Sequence, residues 1–148
     1  MSDIHQSPIV LFDVDGTITE ARRLITTKMI AILRELSYNV EIGFLTGSDL
    51  EYVKEQLWPL LADEEIRLNC HILPCNGTEY YIPNPDRLGT FLTIHQTSME
   101  NKLGFEDFQK IMKILMQLQA EVATADYDIS FSGHFIQNRS SMINWCPI

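Results

Sequence analysis

The sequence predicts an α/β fold, with a doubly wound parallel sheet in the first half of the chain and an antiparallel α+β layer in the second. Three observations carry this reading. Continuous apolar runs recur at PIVLFD (8–13), VEIGFLT (40–46) and CHILP (70–74), the pattern of strands buried on both faces. Helical periodicity fills the intervals between them, joined by short links. After residue 76 the pattern changes to short, partly alternating runs around one long helix.

Each element has a local reason. TTKMIAILRELS (26–37) places Met29, Ile30, Leu33 and Leu36 at helical spacing, with Thr26 or Thr27 to cap it. SDLEYVKEQLWPLL follows the second strand, with Ser48 or Asp49 as N-cap and Pro59 near its end. TEYYI (78–82) and TFLTIHQ (90–96) read as a hairpin around PNPDRLG. Residues 104–120 form the clearest helix, with Phe105, Phe108, Met112 and Leu115 on a stripe that predicts core packing or a dimer face. DISFSGHFIQN (128–138) and SMINWC (141–146) read as strands around an RSS turn. Two domains are expected, residues 1–84 and 85–148.

Composition excludes several classes of function. The net charge of −9, from 20 acidic and 11 basic residues, opposes a nucleic-acid or anionic-membrane surface. Three cysteines, Cys70, Cys75 and Cys146, are too few and too irregular for a disulfide framework or a zinc site. No apolar stretch approaches the ~20 residues of a membrane helix, and MSDIHQSPIV lacks the pattern of a signal peptide. A cytoplasmic protein is expected.

The chemistry gathers where strands end. In open parallel sheets ligands sit at the carboxyl ends of the strands. Asp13 ends the first, Thr46 follows the second, and Pro74–Gly77 follows the third. Asp13 and Asp15 repel each other unless a cation or phosphoryl group lies between them. Asp13 suits a nucleophile that accepts a phosphoryl group, and Asp15 a general acid and base. Gly16 lets backbone N–H groups approach an anion closely, Thr46 offers a hydroxyl, and Gly47–Ser48–Asp49 opens a helix whose N-terminus attracts phosphate. A hard cation, Mg²⁺, would be held by Asp13 and Asp15. A bare D-x-D is otherwise a solvated loop or a cap; here T-G-S-D after the next strand supplies context.

"DVDGT" and "FLTGSD" resemble the first two motifs of the haloacid dehalogenase superfamily of phosphotransferases. "LFDVDGTITEARRLIT", "GFLTGSDLEYVKEQL", "LPCNGTEYY" and "FIQNRSSMINWCPI" are similar to segments of its eukaryotic-type phosphomannomutases. The resemblance implies a Rossmann-like core with an inserted α+β cap layer. It implies interconversion of mannose 6-phosphate and mannose 1-phosphate through a phosphoaspartyl intermediate, in the supply of GDP-mannose. Mg²⁺, a hexose 1,6-bisphosphate activator and a homodimer formed through the cap are implied as well. Carried over residue by residue, Asp13 is the nucleophile, Asp15 the acid/base, and Arg22 and Arg139 bind substrate from core and cap.

The sequence also departs from that pattern. Thr46 stands where the family usually has glycine, and Cys75 where it has glutamate. The resemblance runs out at "CPI", before the motifs that would bring a lysine and further acidic metal ligands; Asp126 and Asp128 are no substitute for them. Three functions follow as expectations: a phosphomannomutase incomplete on its own, a binding or assembly module lacking catalysis, or a sugar-phosphate phosphatase.

Overall fold

The computed structural model describes residues 8–125 and 132–147. Two compact units divide between Gln96 and Thr97. The first holds β1 (Ile9–Asp13), α1 (Thr27–Ser37), β2 (Glu41–Leu45), α2 (Leu50–Leu61), β3 (Cys70–Leu73), β4 (Glu79–Pro83) and β5 (Phe91–Gln96). Its sheet runs β1-β2-β3-β4-β5. The pairs β1/β2 and β2/β3 are parallel, whereas β3/β4 and β4/β5 are antiparallel.

Both helices begin on side-chain caps. Thr26 Oγ1 accepts the Met29 N–H at 3.2 Å, and Asp49 Oδ1 accepts the Tyr52 N–H at 2.9 Å. The core forms where α1 and α2 meet the sheet. Ile42, Phe44 and Ile72 are fully enclosed and share one cluster with Leu33, Val53, Leu57 and Leu60. Burial of each such side chain contributes about 1.5–3 kcal/mol.

Three expectations change here. The helices do not sandwich the sheet. Right-handed crossovers between strands laid in the order 1-2-3 place both helices on one face. β1 lies at the edge, and its apolar run is not buried on both sides: Ile9 is 49% and Leu11 54% exposed. The hairpin belongs to this first sheet, because β4 pairs with β3 at Ile72↔Tyr81. That pairing moves the boundary from the expected 84/85 to 96/97. Buried Arg67 fastens the hairpin's loop, donating from Nη1 to the Asn84 carbonyl at 2.8 Å and from Nη2 to that of Pro85 at 3.3 Å.

The second unit holds α3 (Met99–Leu103), α4 (Phe105–Thr124) and a hairpin of β6 (Ile136–Asn138) and β7 (Ile143–Trp145). Trp145 Nε1 donates to Gln119 Oε1 at 2.9 Å, which ties hairpin to helix. The stripe on α4 is only partly packed. Phe108, Met112 and Leu115 are half-buried, while Phe105 is 61% exposed. Two strands of 3 residues each are too short to roof a helix of 20. Asp126, Asp128 and the start of the strand expected at 128–138 lie outside the described residues.

Candidate active site

The loop after β1 shows why apolar and acidic residues alternate there. Val14 is fully buried and plugs the loop into the core, leaving the aspartates on either side nearer to solvent. Its carbonyl accepts the N–H groups of Ile18 and Thr19, each at 3.0 Å. Gly16 takes φ +83°, a conformation that glycine adopts at no steric cost. The chain thereby turns back, and the Gly16 N–H reaches the Thr19 carbonyl at 2.7 Å.

Asp13 ends β1 and is exposed, with its Oδ2 accepting from the Thr17 hydroxyl at 3.3 Å. Asp15 is held more tightly. Its Oδ1 accepts the Arg22 N–H at 3.0 Å and the Gln56 amide at 2.8 Å. Partial burial pushes the Asp15 carboxyl up, but these two donors and the Arg22 charge outweigh it and hold the group below its ordinary value. Arg22 reaches that position with φ +62°, unusual for a side-chain-bearing residue. Its guanidinium stacks 4.3 Å above the Tyr52 ring. A hydrogen bond with Tyr52, and the charges of Tyr52, Asp15 and Asp49, raise its already high proton affinity against the opposing effect of burial.

The second strand end is clamped by the third. Thr46 is buried, and its Oγ1 accepts the Ser48 N–H at 3.2 Å, so this hydroxyl also braces its own loop. Cys75, Asn76 and Gly77 take φ of +50°, +57° and +78° in succession. The left-handed turn aims the Cys75 N–H at the Ser48 carbonyl (2.9 Å) and the Asn76 N–H at that of Thr46 (2.8 Å). A Cβ on Gly47 would stand 3.3 Å from Asn76 Oδ1, a tight approach.

Asp13, Asp15, Gly16, Arg22, Thr46 and Gly47 thus belong to the first unit, on the loops after β1 and β2. Arg139 belongs to the second, in the β6–β7 turn, where Nη2 donates to Gln137 Oε1 at 2.8 Å. Sequence reasoning did not assign Gln56 or Tyr52. The only signal for Gln56 was "EQL" within the helix motif; nothing flagged Tyr52. Oxygen donors of Asp13 and Asp15 fit Mg²⁺ in kind, since that ion takes one or two carboxylates and completes its shell with phosphate and water. Among the described residues no group of three or more His, Cys, Asp or Glu side chains is placed to hold a metal. Burial pushes the Cys70 thiol up to about 12.

A mixed sheet with an aspartate pair after its first strand defines a haloacid dehalogenase-like fold. Solved structures agree on that fold. An N-terminally truncated, IMP-bound IMP-nucleotidase of Plasmodium falciparum superposes with a TM-score of 0.63 at 15% identity, covering 93% of this chain and 39% of that one. A haloacid dehalogenase-like hydrolase from Bacteroides thetaiotaomicron gives 0.51 at 16% identity, covering 77% and 38%. Sequence comparison narrows the class. The family model "Eukaryotic phosphomannomutase" matches residues 29–148. "Phosphomannomutase" of Encephalitozoon cuniculi is 34% identical over 143 residues, 97% of this chain and 50% of that protein. "Phosphomannomutase 1" of Homo sapiens is 33% identical over 140 residues, 95% and 48%. The chain belongs to the eukaryotic phosphomannomutase family, and it spans about half the length of the curated relatives it matches.

Proposed function

We propose that the chain carries the phosphoryl-accepting part of a phosphomannomutase that interconverts mannose 6-phosphate and mannose 1-phosphate. The observation that carries this reading is the asymmetry of the aspartate pair in a member of this family. Asp13 stands exposed at the strand end, while Asp15 is fixed by the Arg22 N–H and the Gln56 amide. A carboxylate oxygen of Asp13 attacks phosphorus and the bond from phosphorus to the sugar oxygen breaks. Asp15 delivers the proton to that leaving oxygen, and in the reverse half-reaction takes one from the attacking sugar hydroxyl. Gly16 leaves room for the anion at its loop, Gly47 opens the following helix toward it, Thr46 offers its hydroxyl, Arg22 contacts substrate from the core, and Arg139 binds the sugar's other phosphate. Asp13 and Asp15 would hold Mg²⁺, which when bound offsets their repulsion toward the incoming phosphate. A hexose 1,6-bisphosphate would prime Asp13.

A cytoplasmic enzyme is proposed from the sparse, irregularly spaced cysteines of the sequence; no helix among the described residues is long and apolar enough to cross a membrane. Dimerisation is placed on α4, whose Phe105, Ile114 and Met116 are exposed. The second reading is an assembly module without catalysis. One experiment separates them. The chain is joined to the unmatched half of the Schizosaccharomyces pombe phosphomannomutase, which is 36% identical to it over 141 residues, and conversion of mannose 1-phosphate is assayed. Conversion that disappears in Asp13→Asn supports the mutase. A folded chimera without conversion supports the module.

A further inference from the structure

One side of α2 fixes Arg22 at both its backbone and its side chain. Tyr52 and Gln56 lie about one turn apart on that helix and so share a side. Gln56 donates to Asp15 Oδ1 at 2.8 Å, and the Arg22 N–H donates to the same oxygen at 3.0 Å. The loop is pinned again at Ile25, whose N–H reaches the Gln56 carbonyl at 2.9 Å. The Arg22 guanidinium lies 4.3 Å over the Tyr52 ring.

Core packing does not account for that ring. α2 gives Val53, Leu57 and Leu60 to the apolar cluster, whereas Tyr52 is half-buried and stands outside it. The Tyr52 N–H is held by the cap oxygen of Asp49 at 2.9 Å, which sets the residue in the first turn after the end of β2. Its partner Arg22 is exposed and takes φ +62°. Left-handed backbone is uncommon for a residue with a side chain, and such strain gathers at ligand sites. Arg22, Arg23, Tyr52 and Gln56 line a concavity of about 250 Å³, so open space lies beside the guanidinium.

The kind of contact decides what Arg22 can do. Ion pairs among the described residues engage Arg34, Lys54 and Lys110 and leave Arg22 out. A carboxylate partner would occupy the in-plane donors of the guanidinium. An aromatic face attracts the charge instead and leaves most of those donors to a phosphate. Rotamer freedom already given up to the ring is not lost again on binding. We propose that Tyr52 is a positioning residue, which holds the Arg22 guanidinium beside the aspartate pair with its donors open to the substrate's phosphate. The proposal rests on the reading of Arg22 as a substrate contact.

The test compares the 148-residue chain with its Tyr52→Phe and Tyr52→Leu variants in Mg²⁺ buffer, with inorganic phosphate and mannose 6-phosphate as probes. NMR follows the Arg22 Nε–H resonance, and its titration gives each dissociation constant. A ring-current displacement of that resonance is expected in wild type and Tyr52→Phe, and its loss in Tyr52→Leu. Inorganic phosphate should bind Tyr52→Phe within about twofold of wild type, and Tyr52→Leu roughly threefold to tenfold more weakly. With Arg22→Gln already in place, read at the Gly47 N–H, Tyr52→Leu should make no further difference. The proposal is overturned by an Arg22 resonance that Tyr52→Leu does not move, by no phosphate binding in wild type, or by a further loss in the Arg22→Gln background. A Tyr52→Leu chain that is unfolded would overturn it too, since the ring would then be supporting the fold. Phosphate binding that depends on Tyr52, without binding of mannose 6-phosphate, would support the positioning role and defeat the mutase reading. Binding of both probes that ignores Tyr52 would do the reverse.

Discussion

Replacing Gln56 by leucine separates the stability of this fold from the proton affinity of Asp15, the proposed acid/base residue. Gln56 is 3% exposed and donates to Asp15 at 2.8 Å, with a longer contact of 3.4 Å to the Thr19 hydroxyl. Its Oε1 is buried and has no hydrogen-bond partner among the described residues. Leucine removes a bond to a charged group, a loss of about 1.5–3 kcal/mol taken at its lower end because Asp15 is half-exposed. It also removes the orphaned oxygen, whose desolvation costs about 1–3 kcal/mol. The two nearly cancel, so a net destabilisation of no more than about 1 kcal/mol is expected. Asp15, however, loses one of the donors that hold it low, and burial then pushes its carboxyl upward with less opposition. Urea unfolding at neutral pH measures the first effect, and carboxyl-carbon NMR titration of Asp15 the second. A loss above about 3 kcal/mol with an unmoved Asp15 titration would refute the reasoning.

Four further outcomes follow from named contacts. Asp13→Asn should abolish phosphoryl transfer in the joined enzyme and leave urea unfolding within about 0.5 kcal/mol of wild type, since the exposed Asp13 carboxylate accepts a long 3.3 Å bond from the Thr17 hydroxyl. Gly77→Ala should destabilise by about 1–2 kcal/mol by thermal melt, because φ is +78° and the new Cβ meets Leu45 Cδ1 at 3.1 Å. Arg67→Met should cost about 1–3 kcal/mol by leaving the Asn84 and Pro85 carbonyls without their donor, seen as faster hydrogen exchange in the β4–β5 loop. The Arg34 ion pair holds the Asp63 carboxyl low. A depressed carboxyl contributes stability above its unfolded value, near pH 4, and loses it as pH falls through the lower folded value. Wild type should therefore weaken on acidification below about pH 4, and Asp63→Asn should show a shallower decline there.

Strand and helix positions were legible because each rests on local chemistry. Thr26 and Asp49 cap the helices they were expected to cap, and Asn76–Gly77 takes the left-handed turn its residues favour. What could not be read was which side of the sheet the helices occupy. IVLFD is equally apolar on both faces, and only tertiary placement reveals that Leu11 is bare while Val10 and Phe12 are half-buried. Periodicity likewise misplaced the boundary, since a hairpin looks the same whether it extends one sheet or begins another. For the candidate site, the acidic pair and the glycines announced themselves by type and spacing. Gln56 and Tyr52 did not, because a glutamine and a tyrosine on a helix reveal a partner only when the fold brings Asp15 and Arg22 to them.

The ionisation of Asp15 bears on the order of steps in the proposed reaction. A carboxyl held low by the Arg22 and Gln56 donors favours its ionised form, which suits a group that begins as a base. The half-reaction it can begin is the one in which a sugar hydroxyl attacks phosphorylated Asp13. Asp15 takes the hydroxyl proton, the sugar oxygen bonds phosphorus, and the bond from phosphorus to the Asp13 oxygen breaks. The proton then held by Asp15 serves the second half-reaction, when the bisphosphate has turned and its other phosphate is transferred to Asp13. In the proposed reaction a cycle of this order would start from phosphorylated Asp13, the state that the proposed hexose 1,6-bisphosphate would supply. Single-turnover transfer from phosphorylated Asp13 to mannose 6-phosphate in the joined enzyme should therefore hold its rate from neutral to mildly acidic pH. It should fall only as Asp15 becomes protonated, and in Gln56→Leu that fall should come at higher pH. A transfer rate that rises on acidification would show Asp15 acting first as an acid, and would overturn both the order of steps and the role given to the Gln56 and Arg22 donors.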